Sequence, residues 1–118
     1  MYGLAVTRLD HAEGQVEVAV TGEIDIAAAA TFREQLRECL ASGGPRLVVD
    51  LSGVRFCHSL GLAALLTVAE QARQAGGWVR VSGPQPQVRE LFDLTGVSEE
   101  FGLPASPGAP ARGLAPAA

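Results

Sequence analysis

The sequence predicts an α/β fold: a single domain with a small mixed β-sheet of about four to five strands and three to four helices. Apolar residues alternate at 4–9, 15–22 and 78–83, which predicts strands with one buried face. The continuous apolar run at 46–51 predicts an interior or parallel strand beneath helices. Segments with apolar residues three and four positions apart follow these strands and predict helices. The resulting order is β-β-α-β-α-β-α, with right-handed helical crossovers between parallel strands.

The first half of the chain is predicted to form a hairpin followed by a helix. The segment "HAEG" at 11–14 supplies the turn between the first two strands. Asp25 is predicted to be the N-cap of the first helix, because its carboxylate can accept a hydrogen bond from a free backbone N–H. Gly43-Gly44-Pro45 is predicted to end this helix. The predicted apolar face of the helix consists of Phe32, Leu36, Cys39 and Leu40.

The second half of the chain contains a junction between an extended segment and a helix. Ser52-Gly53 is predicted to break the strand at 46–51, after which "VRFCHS" resumes an extended conformation. A helix then begins at Leu60 or Gly61, and Ser59 is its predicted N-cap. A fourth strand and a third helix follow.

Two large aromatic side chains are predicted to lie in the core. Trp78 begins the fourth strand and Phe92 lies on the apolar side of the third helix, which is predicted to end at Gly96.

Composition excludes several classes of function. The chain has 118 residues and a net charge of −4, and all nine of its basic side chains are arginines spread without a cluster. Nucleic acid binding depends on a basic patch, so we predict none. No apolar run is long enough to insert into a membrane, and the N-terminus lacks the layout of a signal peptide. We therefore expect a cytoplasmic protein.

The domain is predicted to span residues 1–103. From 104 to 118 the sequence is rich in proline, alanine and glycine and has no periodicity. Such a segment cannot bury enough apolar surface to offset its ordering entropy, so we predict a disordered tail.

The cysteines and histidines do not indicate a metal or cofactor site. Cys39 and Cys57 lie far apart among apolar neighbours, which is typical of reduced, buried thiols. The two histidines, His11 and His58, complete no pattern with zinc-ligand spacing. We predict no metal and no cofactor.

Ser59 is the residue on which the functional interpretation depends. It is a helix cap, a phosphate acceptor or a nucleophile. A helix N-terminus favours an attached phosphate, and Gly61 would leave room for its oxygens to reach the backbone. The nucleophile elbow G-x-S-x-G is incomplete, since Cys57 stands at its first glycine, and no histidine and acid are placed to form a triad. We therefore predict that the protein is not an enzyme.

Three stretches resemble the STAS domain, and within it the bacterial anti-sigma factor antagonists. They are "VTGEIDIA" (20–27), "LVVDLSGVRFCHSLGLAALL" (47–66) and "SGPQPQVRELFDLTGV" (82–97), and the similarity covers about residues 3–103. The resemblance implies partner switching. The dephosphorylated protein binds an anti-sigma factor with serine kinase activity and releases a sigma factor. Phosphorylation ends this binding, and a PP2C-type phosphatase restores it.

Carried over position by position, the resemblance implies that Ser59 is the phosphoacceptor. His58 stands where the family usually has aspartate, and Leu60 where it often has serine or threonine, whereas Asp25 keeps the acid beside the site. These two departures leave an alternative open: a STAS regulatory subunit or scaffold of a transporter or signalling complex that is not phosphorylated. The predicted partner-binding residues are Glu23, Asp25, His58, Ser59, Leu60, Gly61, Leu62 and Ser82.

Overall fold

The computed structural model describes residues 3–10 and 15–104 of the chain. This part contains four strands, three α-helices and a short 3-10 helix. The predicted α/β class and the order of elements are confirmed. The strands are β1 (Ala5–Asp10), β2 (Gln15–Ile24), β3 (Arg46–Cys57) and β4 (Trp78–Ser82). The helices are α1 (Ala29–Gly43), α2 (Ser59–Gln74) and α3 (Pro86–Thr95), and the 3-10 helix is Glu99–Phe101.

The sheet has the strand order β1-β2-β3-β4. β1 and β2 are antiparallel, which confirms the predicted hairpin, whereas β2, β3 and β4 are parallel and are connected through α1 and α2. The predicted hairpin turn at 11–14 lies outside the described residues, as do residues 105–118 of the predicted tail. Parallel pairing brings the carboxyl ends of β2 and β3 together at one edge, where Ile24 pairs with Cys57.

The core fills the space between one face of the sheet and the helices. Alternate residues of the strands point into it because side chains of a strand alternate between faces. α1 and α2 contribute the apolar stripes that the spacing predicts. Fully buried members include Val18, Val20, Val49, Leu51, Phe32, Leu36, Leu65 and Val68. Cys39 and Cys57 are buried, reduced cysteines, as predicted.

The predicted break at Ser52-Gly53 is wrong, because β3 runs without interruption from Arg46 to Cys57. The pairing with β2 instead shifts register twice, between Ala19 and Thr21 and between Gly22 and Glu23. A bulge of this kind absorbs an extra residue and lets the strand continue. A Cβ on Gly53 would lie 2.7 Å from Thr21 Cγ2, so this glycine marks a close approach rather than a turn.

Two further details differ from prediction. α1 begins at Ala29 rather than directly after Asp25, because residues 26–28 form a turn first. The Asp25 carboxylate caps that turn by accepting from the Ala28 N–H at 2.8 Å. Trp78 is half-buried rather than in the core. It lies on the opposite face from Val79, where the Arg80 guanidinium stands 4.2 Å from its ring centroid.

Phe92 is fully buried, as predicted, and its ring meets Phe101 edge to face at a centroid distance of 5.5 Å. No helix within residues 3–10 and 15–104 combines the length and the apolar composition needed to cross a membrane.

Candidate functional site

The predicted site lies at the edge of the sheet where β2 and β3 end. The His58 N–H donates to the Ile24 carbonyl oxygen at 2.7 Å, and this hydrogen bond ties together the segments that leave the two strands. Asp25 and Ser59 each follow the bonded pair by one residue. The fold therefore brings the Asp25 turn and the start of α2 side by side.

His58, not Ser59, is the N-cap of α2. Its backbone is extended, with φ −73° and ψ 156°, and its Nδ1 accepts a hydrogen bond from the Leu60 N–H at 3.0 Å. Its carbonyl oxygen accepts from the N–H groups of Gly61 at 2.8 Å and Leu62 at 3.3 Å. Because Nδ1 is the acceptor, the neutral ring carries its proton on Nε2. The prediction that Ser59 caps the helix is therefore wrong, and Ser59 is the first helical residue.

Because His58 occupies the cap position, the Ser59 side chain is not used to cap α2. The residue is exposed, and its hydroxyl has no hydrogen-bond partner among residues 3–10 and 15–104. The backbone beneath it is fixed by the bonds that His58 makes to the first turn of α2. An exposed hydroxyl on a rigid turn is a group that another protein can contact or modify.

The residues that follow Ser59 divide between the surface and the core. Leu60 is exposed, whereas Gly61 and Leu62 are buried, so these two shape the site from beneath instead of contacting a partner directly. A Cβ on Gly61 would lie 2.6 Å from Ile24 Cγ2 and 3.0 Å from Cys57 Sγ. The predicted reason for this glycine was access for phosphate oxygens, but the structure gives it a packing role.

Two acids border the site. Asp25 is exposed in its turn, and Glu23 is half-buried and paired with Arg55, whose Nη2 lies 3.5 Å from Glu23 Oε2. Exposed ion pairs of this length contribute little to stability. Arg55 offsets the charge of Glu23, whereas Asp25 carries a negative charge in the turn next to the start of α2.

Ser82 does not join the site. It pairs with Asp50 on β3, and the sheet continues beyond that level for five residues of β2 to the pair Ile24 and Cys57, a distance of roughly 17 Å. The segment after Ser82 continues in the same direction as this extension, where the side-chain amides of Gln85 and Gln87 donate to the carbonyl oxygens of Ser52 and Arg55.

Apolar exposure at this edge was missed by sequence reasoning. Five large hydrophobic residues of the described chain are exposed, and three of them lie in the segments that meet here: Ile26 in the turn after β2, Phe56 near the end of β3 and Leu60 in the first turn of α2. Only Leu60 was predicted to lie at the site. Phe56 follows the second register shift of β3, which places it and Arg55 both on the surface and breaks the alternation that a sequence pattern relies on.

Removal of the His58 side chain tests the cap. We expect His58→Ala to lower the free energy of unfolding by about 1 kcal/mol, because the Leu60 N–H loses its acceptor. His58→Asp should keep most of the stability, since a carboxylate can accept the same bond. Chemical denaturation of the three proteins measures this. Equal stability of the alanine variant and the parent would contradict the capping role.

Cys57 gives a prediction with a defined pH dependence. Burial raises the pKa of the Cys57 thiol to about 11, whereas an ordinary cysteine ionises near 8.5. Between about pH 8.5 and 11 the thiol is therefore neutral in the folded protein and ionised in the unfolded chain. The contribution of the neutral, buried thiol to stability is complete below about pH 8.5 and is lost as pH rises to about 11, by about 3 kcal/mol at most.

Denaturation between pH 8 and 11 measures this loss, with Cys57→Ala as the control that removes the titrating group. Iodoacetamide labelling is a second readout. At pH 8 about one thousandth of the folded Cys57 is thiolate, so labelling should be slow until denaturant is added. Fast labelling of the folded protein at Cys57 would show that the thiol is accessible and ionised.

The fold and the site together define an α/β domain that presents an unbonded serine hydroxyl at the start of a helix, beside an acidic turn and exposed apolar side chains. The chain belongs to the STAS domain family. The family model described as "Mlab, STAS domain" matches residues 7–104, and the predicted resemblance is thereby confirmed.

Named relatives are anti-sigma factor antagonists. The anti-sigma-B factor antagonist of Bacillus subtilis (strain 168) is 30% identical over 87 residues, which cover 74% of this chain and 79% of that protein. The crystal structure of an anti-sigma factor antagonist from Mycobacterium paratuberculosis shares 31% identity, with a TM-score of 0.72 and coverage of 89% and 88%. SpoIIAA in its unphosphorylated form has a TM-score of 0.73 at 18% identity, with coverage of 86% and 90%, which concerns the fold alone.

Proposed function

We propose that this protein is an anti-sigma factor antagonist. It binds an anti-sigma factor through the edge of the sheet around Ser59, and this binding releases the sigma factor that the anti-sigma factor had held. The named relatives support this role. The observation that carries it is the exposed Ser59 hydroxyl, which the cap formed by His58 leaves without an intramolecular bond.

The anti-sigma factor is a serine kinase, and phosphorylation of Ser59 is the off-switch. A phosphate adds about −1.5 to −2 charges near pH 7. In free solution the N-terminus of α2 tolerates this charge, because the aligned peptide dipoles of the helix give its first turn a partial positive charge. In the complex the same dianion must be desolvated near the Asp25 turn, and it opposes docking. A PP2C-type phosphatase removes the phosphate and restores binding.

The protein itself works by recognition and not by catalysis. Proton transfer from a hydroxyl needs a base within hydrogen-bonding reach. Nδ1 of His58 is occupied by the Leu60 N–H, and no hydrogen bond joins the His58 ring to Ser59 within residues 3–10 and 15–104. The kinase therefore supplies the catalytic groups, and this chain supplies a positioned hydroxyl. The switch operates in the cytoplasm, where sigma factors act.

The test combines the full chain with purified serine-kinase anti-sigma factors encoded by the same genome. We expect one of them to bind the unmodified protein and, with ATP and Mg²⁺, to add one phosphate that mass spectrometry locates at Ser59. Ser59→Ala should bind and remain unmodified. Ser52→Ala, which changes another exposed serine, should be phosphorylated normally. Binding without phosphorylation would favour the alternative, a STAS regulatory subunit that uses this surface without a phosphate switch.

A further inference from the structure

A groove between α1 and α2 opens beside Ser59. Its volume is about 270 Å³. Ile26 and Leu60 contribute its two large apolar side chains, four alanines line the space between the helices, and Arg33 and Thr67 are its polar members. The groove is therefore apolar inside and carries one positive charge.

The two large side chains of the groove are unusually exposed. Ile26 is 62% exposed and Leu60 is 47% exposed, although both belong to residue types that are mostly buried. Neither residue belongs to the buried core cluster. Exposed apolar residues that occur together at one groove mark an interaction surface.

The size and charge of the groove indicate what occupies it. Small-molecule sites have volumes of roughly 300–1,000 Å³ and enclose most of the ligand. This groove is smaller and lies open between two helices, so it suits one side chain of a protein. Arg33 is exposed, and its ion pair with Glu34 spans 3.9 Å, which leaves donors for a partner's carboxylate.

We infer that the groove formed by Ile26, Leu60 and Arg33 receives an apolar side chain of the anti-sigma factor, with an acidic residue next to it. This inference rests on the proposed function and specifies how the partner is recognised. Leu60 adjoins Ser59, so the groove is continuous with the surface that phosphorylation would change. Leu60 and Ile26 give affinity through apolar burial, and Arg33 selects partners by charge.

The experiment measures the dissociation constant between the full chain and the anti-sigma factor that binds it, by calorimetry. We expect Leu60→Ser and Ile26→Ser each to weaken binding about tenfold, since each removes a buried apolar anchor from the interface. Leu94→Ser is the matched control, because Leu94 is exposed on α3 away from the groove. It should bind like the parent. Thermal unfolding confirms that all three variants fold.

Arg33 is tested by salt dependence. Arg33→Ala should slow association at low ionic strength, and the difference from the parent should shrink at high salt. Arg37→Ala, one turn further along α1, is the control and should change association less.

The outcomes separate the inference from the proposed function. If the parent binds the anti-sigma factor and Leu60→Ser and Ile26→Ser bind equally well, the groove is not the recognition site and the inference is overturned, while the proposed function stands. If the parent binds none of the anti-sigma factors, the proposed function fails and the inference fails with it.

Discussion

Ser59→Glu is expected to weaken binding to the anti-sigma factor at least about 100-fold while leaving the folded domain as stable as the parent. A carboxylate at the first residue of α2 is favoured by the helix N-terminus, by roughly 0.3–1 kcal/mol. The same charge in the interface must lose its water near the carboxylate of Asp25. Like-charge contacts of this kind cost several kcal/mol, and about 3 kcal/mol corresponds to about 100-fold. Repulsion in the complex therefore exceeds stabilisation in the free protein.

Calorimetric titration and thermal unfolding measure the two effects separately. Ser52→Glu is the matched control, because it adds the same charge at an exposed serine in the middle of β3. It should bind about as well as the parent. Ser59→Ala should also bind, since the interaction depends on the absence of charge and not on the hydroxyl. Tight binding by Ser59→Glu would rule out a charge-operated switch at this position.

Gly61→Val is expected to lower the free energy of unfolding by about 3 kcal/mol. Even a single Cβ at Gly61 would stand 2.6 Å from Ile24 Cγ2 and 3.0 Å from Cys57 Sγ, and both neighbours are buried. Any side chain would force them out of their positions, and overpacking in a core costs about 1–3 kcal/mol. The better helix propensity of a residue with a Cβ offsets less than about 1 kcal/mol.

Denaturant unfolding of Gly61→Val and Gly61→Ala gives the size dependence, with a smaller loss for alanine. Gly3→Val is the control, because within residues 3–10 and 15–104 no atom beyond its chain neighbours lies within 4 Å of the position that its Cβ would take. It should be close to neutral. If Gly61→Val unfolds at the same denaturant concentration as the parent, the helix does not depend on close packing at Gly61.

The fold was predictable because its signals are local in sequence. Strand alternation and helical spacing indicate which side of an element is buried, and both patterns are kept in β2, α1 and α2. The break at Ser52-Gly53 failed for a non-local reason. Whether a Ser-Gly pair ends a strand depends on the neighbouring strand. Here β2 continues to pair with β3 across the register shift before Thr21. A sequence window cannot contain that information.

The site was predictable in position but not in detail. Ser59 and His58 are adjacent residues that can each accept a cap hydrogen bond, and general preferences favour serine. The backbone geometry at the end of β3 determines which of the two residues forms the cap. The His58 N–H is held by the Ile24 carbonyl oxygen, so His58 stays extended and its ring turns to the helix. That bond joins residues 34 positions apart and has no local signature.

The groove shows the same limit. Leu60 could be predicted as an apolar residue at the start of the helix, but which residues lie next to it depends on packing. Ile26 comes from the turn before α1, and Arg33 comes from the first half of that helix. Only the parallel arrangement of β2 and β3 brings these residues to one surface.

The most direct test is a phosphopeptide map of the protein isolated from its native cells, together with identification of the proteins that co-purify with it. We predict two populations. One carries phosphate on Ser59 and lacks an anti-sigma factor, and the other is unmodified and retains a serine-kinase anti-sigma factor. A protein whose Ser59 is unmodified in every growth condition, and which retains no anti-sigma factor, would contradict the proposed switch.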